Sequence, residues 1–240
     1  MHNAPDKTKP HGNSMARQQS EPISVIVAGA GGFGMEALPY IRDAIALDPA
    51  ITIKGFLDDK LEVFNGKLDD LPMIGRIHDY RIESQDRFIV TIGDPEARAD
   101  VTRSLEKRGA KFFTLIHPTA NVASTARVGN GCIIYPFCGV GNQANVREHV
   151  VMTWYSSVAH DTVVEPFSML SSYSTLNGGA VLEEGAFLGT HAVVNPLVRI
   201  GAWSRVAAGS VVYKSVGPRL LAMGNPARAL PLMNKLSEQS

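Results

Sequence analysis

Cysteine is almost missing from this sequence, with 2 in 240 residues. That excludes a disulfide-stapled scaffold and suits a reducing compartment. An excess of one charge is missing too, since 23 Lys and Arg balance 23 Asp and Glu. A chain without a basic surplus lacks the electrostatic footprint of a general nucleic-acid binder. No apolar run reaches the roughly 18 residues that a membrane span needs. The N-terminus has no apolar core of a secretory signal. The expectation is a soluble, cytoplasmic protein. Apolar residues are scarce in residues 1–21. That stretch cannot bury enough surface to offset the entropy of ordering and reads as a disordered tail. The rest is ordinary globular composition, 45% hydrophobic and 19% charged, enough for one large domain or two small ones.

Residues 22–116 alternate strand-like and helix-like segments. Residues 23–28 (ISVIVA), 51–57 (ITIKGFL), 87–92 (RFIVTI) and 111–115 (KFFTL) read as strands. Residues 33–47 read as a helix with Pro39 as a possible kink, and 95–109 as an amphipathic helix opened by Pro95 and closed by Gly109. Such alternation predicts a small parallel α/β sheet of Rossmann-like type.

From residue 117 the helical signal stops and a six-residue period takes over. Stepping by six from Val122 reaches Val128, Ile134, Val140, Val146, Met152, Val158, Val164, Leu170, Leu176, Leu182, Leu188, Val194, Ile200, Val206 and Val212. Every one is Val, Ile, Leu or Met. Four residues after each comes a small or compact residue, in a column from Ala126 through Cys132 and Cys138 to Ser210. One large and one small inward residue per hexad, three hexads per turn, describe a triangular coil of parallel strands with about five turns. A β-sandwich has no reason to hold a six-residue period over this length. Cys132 and Cys138 fall in the compact inward column and read as core residues.

The hexad array, the closing segment Gly209-Ser210-Val211-Val212-Tyr213-Lys214 and Gly224-Asn225-Pro226-Ala227-Arg228 resemble the hexapeptide-repeat acyltransferases. The front half is similar to the N-terminal domain of one branch, the amino-sugar-nucleotide N-acetyltransferases and sialic acid O-acetyltransferases. The matching stretches are Val27-Ala28-Gly29-Ala30-Gly31-Gly32-Phe33-Gly34, Gly55-Phe56-Leu57-Asp58-Asp59, and Ile92-Gly93-Asp94 with Arg98. The resemblance implies a left-handed coil, a homotrimer, acetyl-CoA as acyl donor and a nucleotide-linked amino sugar as acceptor. The left hand comes from the resemblance alone, because the usual rule for parallel crossovers favours the right. It divides the chain into a nucleotide-sugar-binding domain at 22–116, an acyltransferase β-helix at 117–217 and a C-terminal extension at 218–240.

The inward columns carry no reactive groups, so chemistry belongs on the turns. His160 is the strongest candidate among His117, His149, His160 and His191. Residues 18 apart stack one coil apart, about 4.8 Å. Gly178-Gly179 then lie one coil after His160-Asp161, and Asn142-Gln143 one coil before. The imidazole would border a patch stripped of side chains, open to a substrate. By resemblance, Val158-Ala159-His160-Asp161 carries the general base, a role suited to a side chain that titrates near neutrality. Asp161 orients the ring if a turn lets the two neighbours meet. Gly178 resembles a position where backbone approaches acetyl-CoA, and an N–H from the Gly178-Gly179 stretch would polarise the thioester oxygen. Ala207 and Ala208 fall where the family lines its cofactor groove. Lys214 and Arg228 are further candidates for the cofactor phosphates. Two positions depart from the family: Met169 replaces a histidine that contacts acetyl-CoA, and Thr153 replaces an asparagine on the acceptor side. Tyr155, Tyr173 and His191 share one outward column and are candidates for a subunit contact.

The Gly29-x-Gly31-x-x-Gly34 loop follows a strand and opens a helix, the setting for phosphate binding. Asp58 and Asp59 lie where a ribose-binding acid belongs, which read alone suggests NAD. A half of about 95 residues is short for a full dinucleotide fold, and no hydride-transfer site accompanies it. Gly29, Gly31, Gly32, Asp58 and Asp59 are therefore assigned to the nucleotide sugar. Zinc enzymes built on such coils use histidines about five residues apart. His149 and His160 are eleven apart, and no metal is expected. O-acetylation of a sialic-acid-like sugar and a non-enzymatic nucleotide-binding trimer remain open beside N-acetylation.

Overall fold

The computed structural model describes residues 22–46, 48–60 and 71–232. The expected tail at 1–21 lies outside them. The α/β unit holds four parallel strands in the order β3-β2-β1-β4. These are β1 (Ile23–Ala28), β2 (Ile51–Leu57), β3 (Met73–Gly75) and β4 (Asp86–Val90). Strand alternation sends Val25 and Val27 to one sheet face, where α1 (Gly32–Ile45) packs with Ala37, Leu38 and Ile41. Ile26 and Ala28 point to the other face, where α2 (Pro95–Lys107) contributes Leu105.

Several boundaries differ from the sequence reading. Pro39 sits inside α1 without ending it. The strand expected at 87–92 stops at Val90 because the Thr91 hydroxyl turns back to donate to the Gly29 carbonyl at 2.8 Å. The second helix ends two residues early, and Gly109 leaves it at φ +81°. Residues 111–115 are not a strand of this sheet. Phe112 makes one isolated bridge to Phe88, and Leu115 already belongs to the coil. The short strand β3 was not expected.

The second half is a left-handed parallel β-helix. It opens at β5 (Leu115–Ile116). Two-residue strands β6–β21 follow at six-residue steps, from Asn121–Val122 to Val211–Val212. Three strands make a turn, so the coil holds five complete turns and two further strands, slightly more than expected. Strands 18 residues apart pair in parallel, as Val151 does with Ile133 and Met169. The inward aliphatic column from Ile134 to Val212 is at most 2% exposed. Val122 and Val128, in the first turn, are half-buried. Hydroxyls of the compact column satisfy turn carbonyls: Ser204 Oγ donates to Gly217 O at 2.6 Å and Ser168 Oγ to Glu183 O at 2.9 Å. The corners repeat a left-handed residue every six positions, including Phe137, Gln143, His149, Tyr155 and Asp161. A hairpin of β22 (Leu220–Gly224) and β23 (Ala227–Pro231) extends one face.

The coil has three faces. Face 1 carries the strands at Leu115, Ile133, Val151, Met169, Phe187 and Arg205, face 2 those from Asn121, and face 3 those from Arg127. The α/β unit covers face 1. Leu115, Ile133 and Val151 point out of the coil yet are at most 1% exposed. Tyr40 of α1 meets Tyr135 edge-on at 4.7 Å and Trp154 at 5.1 Å, and Phe33 packs on Tyr135. One apolar cluster runs from the sheet through α1 into the coil.

Candidate functional site

The residues singled out from the sequence fall into three groups. The first lies on the edge between faces 2 and 3. Asp161 sits at φ +58°, and this left-handed turn swings its carboxylate beside its neighbour's ring. His160 Nδ1 and Asp161 Oδ2 are 2.7 Å apart. An ionised carboxylate only accepts, so Nδ1 carries the proton and Nε2 keeps its lone pair. The ring is exposed, at 69% of its side-chain surface. Gly178 lies against it one coil on. A Cβ built on Gly178 would stand 2.7 Å from His160 Nε2, so only glycine leaves that nitrogen accessible. Gly178 gives its carbonyl to the Leu197 N–H at 3.1 Å, while its own N–H has no partner among the described residues. Gly179 takes φ +66° and donates to His160 O. The edge thus offers an oriented base, a bare approach and a free backbone donor.

The second group lies on the edge between faces 1 and 2. Thr153 bonds Ser172 Oγ at 3.2 Å. Ala207 and Ala208 occupy the same edge three coils on, and the Ala207 N–H pairs with Ala222 O. The rings of Phe137, Tyr155, Tyr173 and His191 form a ladder here, with centroids 5.0, 5.0 and 4.8 Å apart and planes within 12°. Three of these four rings were expected in one column from the sequence; Phe137 was not. Met169 lies on face 1, half-buried among the core groups. Within one chain, therefore, Met169, Thr153, Ala207 and Ala208 do not meet His160. A triangular coil sets the edge of faces 2 and 3 opposite face 1. Lys214 is exposed, and Arg228 stands exposed on the terminal hairpin.

The third group is in the α/β unit. The sheet order places a topological switch point between β1 and β4, where ligands of open α/β sheets enter at the strand ends. Gly29 at φ +115° passes so near Thr91 that a Cβ would come within 2.8 Å of its carbonyl oxygen. Gly31, Gly32 and Gly93 have open space where a side chain would be, so they line an accessible crevice. Helix α1 begins at Gly32 with no side-chain cap and no acid in its first turn, which leaves its N-terminal donors for an anion. Asp58 is committed to its own chain: its Oδ2 accepts the Ala30 N–H at 2.8 Å and its Oδ1 the Lys60 N–H at 2.9 Å. Burial pushes the Asp59 carboxyl up, but Asp59 accepts from His78 through both the backbone N–H and Nδ1, and these bonds with the charge of His78 together outweigh burial and hold the carboxyl below its usual value. Both acids shape the glycine loop and its neighbour strand before they meet any ligand.

The remaining histidines serve structure. His117 bridges the two units, with Nε2 3.2 Å from Asp43 Oδ2. His149 is buried, stacks on Phe167 at 5.3 Å and approaches Glu106 of α2. Among the described residues no group of three or more His, Cys, Asp or Glu is arranged to hold a metal, and no helix is long and apolar enough to cross a membrane. Sequence reasoning missed Gly93 and Asp94 as crevice residues. The signal was there: Gly93 follows a strand end, and Asp94 precedes a helix as its cap, accepting the Ala97 N–H at 3.1 Å.

Residues 24–105 match the family described as the PglD N-terminal domain. Over 113 residues the chain is 32% identical to UDP-N-acetylbacillosamine N-acetyltransferase of Bacillus subtilis strain 168, a stretch covering 46% of this chain. The chain spans about half the length of that curated relative, since the match covers 50% of it. Among solved structures, the acetyltransferase domain of PglB from Neisseria gonorrhoeae FA1090, in complex with acetyl coenzyme A, is 25% identical with a TM-score of 0.77. It covers 87% of this chain and 100% of its own. PerB from Caulobacter crescentus, in complex with CoA and GDP-perosamine, is 27% identical with a TM-score of 0.76, covering 86% of this chain and 97% of its own. The resemblance read from the sequence is thereby shown, in the front half by the PglD N-terminal domain family and across sheet and coil by the acetyltransferase structures.

Proposed function

We propose that the protein is an acetyltransferase that moves the acetyl group of acetyl-CoA to the amino group of a nucleotide-linked amino sugar, for surface glycan synthesis. The observation that carries this reading is the His160–Asp161 pair with Gly178 cleared beside Nε2. The acceptor amine attacks the thioester carbonyl and forms the C–N bond. Nε2 takes the amine proton, while Asp161 holds the ring and stabilises the imidazolium. The Gly178 N–H is suited to the oxyanion of the tetrahedral intermediate. Collapse breaks the C–S bond, and the imidazolium returns its proton to the leaving CoA sulfur. The relatives with acetyl-CoA, with CoA and GDP-perosamine, and with N-acetyltransferase in their names favour an amine over a hydroxyl acceptor.

We assign residues 22–116 to the acceptor's nucleotide, with Gly29, Gly31 and Gly32 toward its phosphates. Residues 117–217 carry acetyl transfer, and 218–240 extend the coil's end. The α/β unit covers face 1 while His160 stands on the opposite edge, so one chain cannot bring its own acceptor to its own base. A neighbouring copy whose His160 edge faces this chain's crevice, Met169, Thr153, Ala207 and Ala208 completes the site. Such a heterologous contact closes as a ring, and a homotrimer in the cytoplasm fits it.

The test is thiol release from acetyl-CoA with a panel of UDP-, GDP- and dTDP-linked amino sugars, beside His160→Ala. Turnover on one amine, reduced about a hundredfold or more in the variant, is the expected result. Turnover that survives in the variant removes His160 from the mechanism. Silence across the panel removes the acetyl transfer itself.

A further inference from the structure

We propose that Arg98 is a positioning residue that bolts the loop closing the acceptor crevice to the β-helix, and so sets where the acceptor amine arrives. This rests on reading that crevice as the acceptor's nucleotide site. Arg98 projects from α2 and is 1% exposed. Its Nη1 donates to Ile92 O at 2.9 Å and more weakly to Gly93 O, in the loop that follows β4. Its Nη2 donates to Phe167 O at 2.6 Å, on a corner of the coil 69 residues away in sequence. One planar group thus spans the crevice wall and the solenoid. A second tie stands beside it: Arg205 Nη2, on face 1, bonds Asp94 Oδ2 at 2.7 Å.

Stability alone is a poor reason for this residue. Its Nε is buried without a partner. Burial pulls the guanidinium pKa down to about 10, against the field of Asp94, and leaves it charged at neutral pH. Replacing a buried charge with an apolar side chain of similar volume is often neutral or stabilising. What an apolar side chain cannot do is hold two carbonyls of two units at one fixed spacing. Lysine fails in the same way, since its ammonium is a point donor and not a fork. The acceptor's reactive amine lies far from its nucleotide, so a small rotation of the crevice displaces the amine by more. Misplacement by about 1 Å can cost about a hundredfold in rate.

The experiment compares the wild-type chain with Arg98→Met, Arg98→Lys and Arg205→Gln. For Arg98→Met we expect kcat at saturating acceptor to fall at least about tenfold. KM for acetyl-CoA should stay within about twofold, and the melting temperature within about 5 °C. Arg98→Lys should recover only part of the rate, and Arg205→Gln should show a smaller loss of the same kind. Amide exchange should quicken at residues 92–94 and 167–169 together, and not along face 2. An Arg98→Met kcat within twofold of wild type overturns the proposal. If methionine unfolds the chain, Arg98→Lys decides by the same criterion. A wild type silent on every acceptor sinks the functional reading instead. Exchange then decides the bolt: quickening confined to both segments upholds it, and unchanged exchange overturns it.

Discussion

The three edges of the β-helix share one backbone and differ in almost everything else. Each repeats a left-handed corner once per coil. On the edge of faces 1 and 2 the corners stack Phe137, Tyr155, Tyr173 and His191 as an exposed ladder. On the edge of faces 3 and 1 they bury His149 and Phe167 under α2. On the edge of faces 2 and 3 the column reads Gln143, Asp161, Gly179, Leu197, with His160 and Gly178 beside it. The coil supplies position and rigidity, and a residue's role follows from which edge it occupies. Two histidines, each one coil from a glycine, therefore stand in opposite settings, His149 buried and His160 exposed.

The sharpest way to break that contrast is to add one methyl group to each glycine. In Gly178→Ala the new Cβ stands 2.7 Å from His160 Nε2. Because φ there is not left-handed and the ring is exposed, the imidazole gives way and the fold is kept. We expect kcat to fall about a hundredfold through displacement of the base, with the melting temperature within about 2 °C. In Gly131→Ala the Cβ stands 2.3 Å from Nδ1 of buried His149, at φ +70°. Strain and overpacking together cost about 2–4 kcal/mol, a loss of roughly 5–15 °C in melting temperature. Steady-state kinetics and thermal melts on both variants check this. Equal loss of stability in the two would erase the distinction between the edges.

Asp161→Asn is a milder probe of the same edge. The amide oxygen can still accept from His160 Nδ1, so the ring stays oriented, but the charge that stabilises the imidazolium is gone. We expect kcat to drop about tenfold, less than the roughly hundredfold or more that loss of the whole base would cost. The melting temperature should not change, since the pair is more than half exposed and such pairs contribute little. A rate equal to wild type would leave Asp161 as a solvated turn residue.

Much of this was legible in the sequence because the hexad period is a packing rule written residue by residue. The column from Ile134 to Val212 is the core, and the 18-residue step by itself sets Gly178 beside His160. The His160–Asp161 contact hung on one backbone angle at Asp161, which pattern alone does not give. Residues 111–115 misled because an apolar run reads as strand whether it joins the sheet or, as Leu115 does, starts the coil. The docking of the two units escaped notice for a different reason. Outward positions of face 1 are apolar at Leu115, Ile133, Val151, Met169 and Phe187, yet Val163, Val181 and Val193 on the other faces blur that signal. The reach of Arg98 to Phe167 depends on docking and has no local signature.

The smallest effect is a pH dependence at the buried edge. Burial of His149 pushes its pKa below the usual value of 6.5, although Glu106 at 3.4 Å and Glu148 favour the charged ring and Arg98 opposes it. The folded chain then binds this proton less readily than the unfolded chain. Its contribution to stability is full above about pH 6.5 and declines as pH falls through that value toward the folded pKa, by at most about 1.4 kcal/mol per pH unit. His149→Phe keeps a ring between Phe112 and Phe167 and removes the titration. Melting temperatures measured from pH 7.5 to 5 should fall less steeply in this variant than in wild type. Parallel slopes for His149→Phe and wild type would mean that the buried edge is not where acid loosens the junction between sheet and coil.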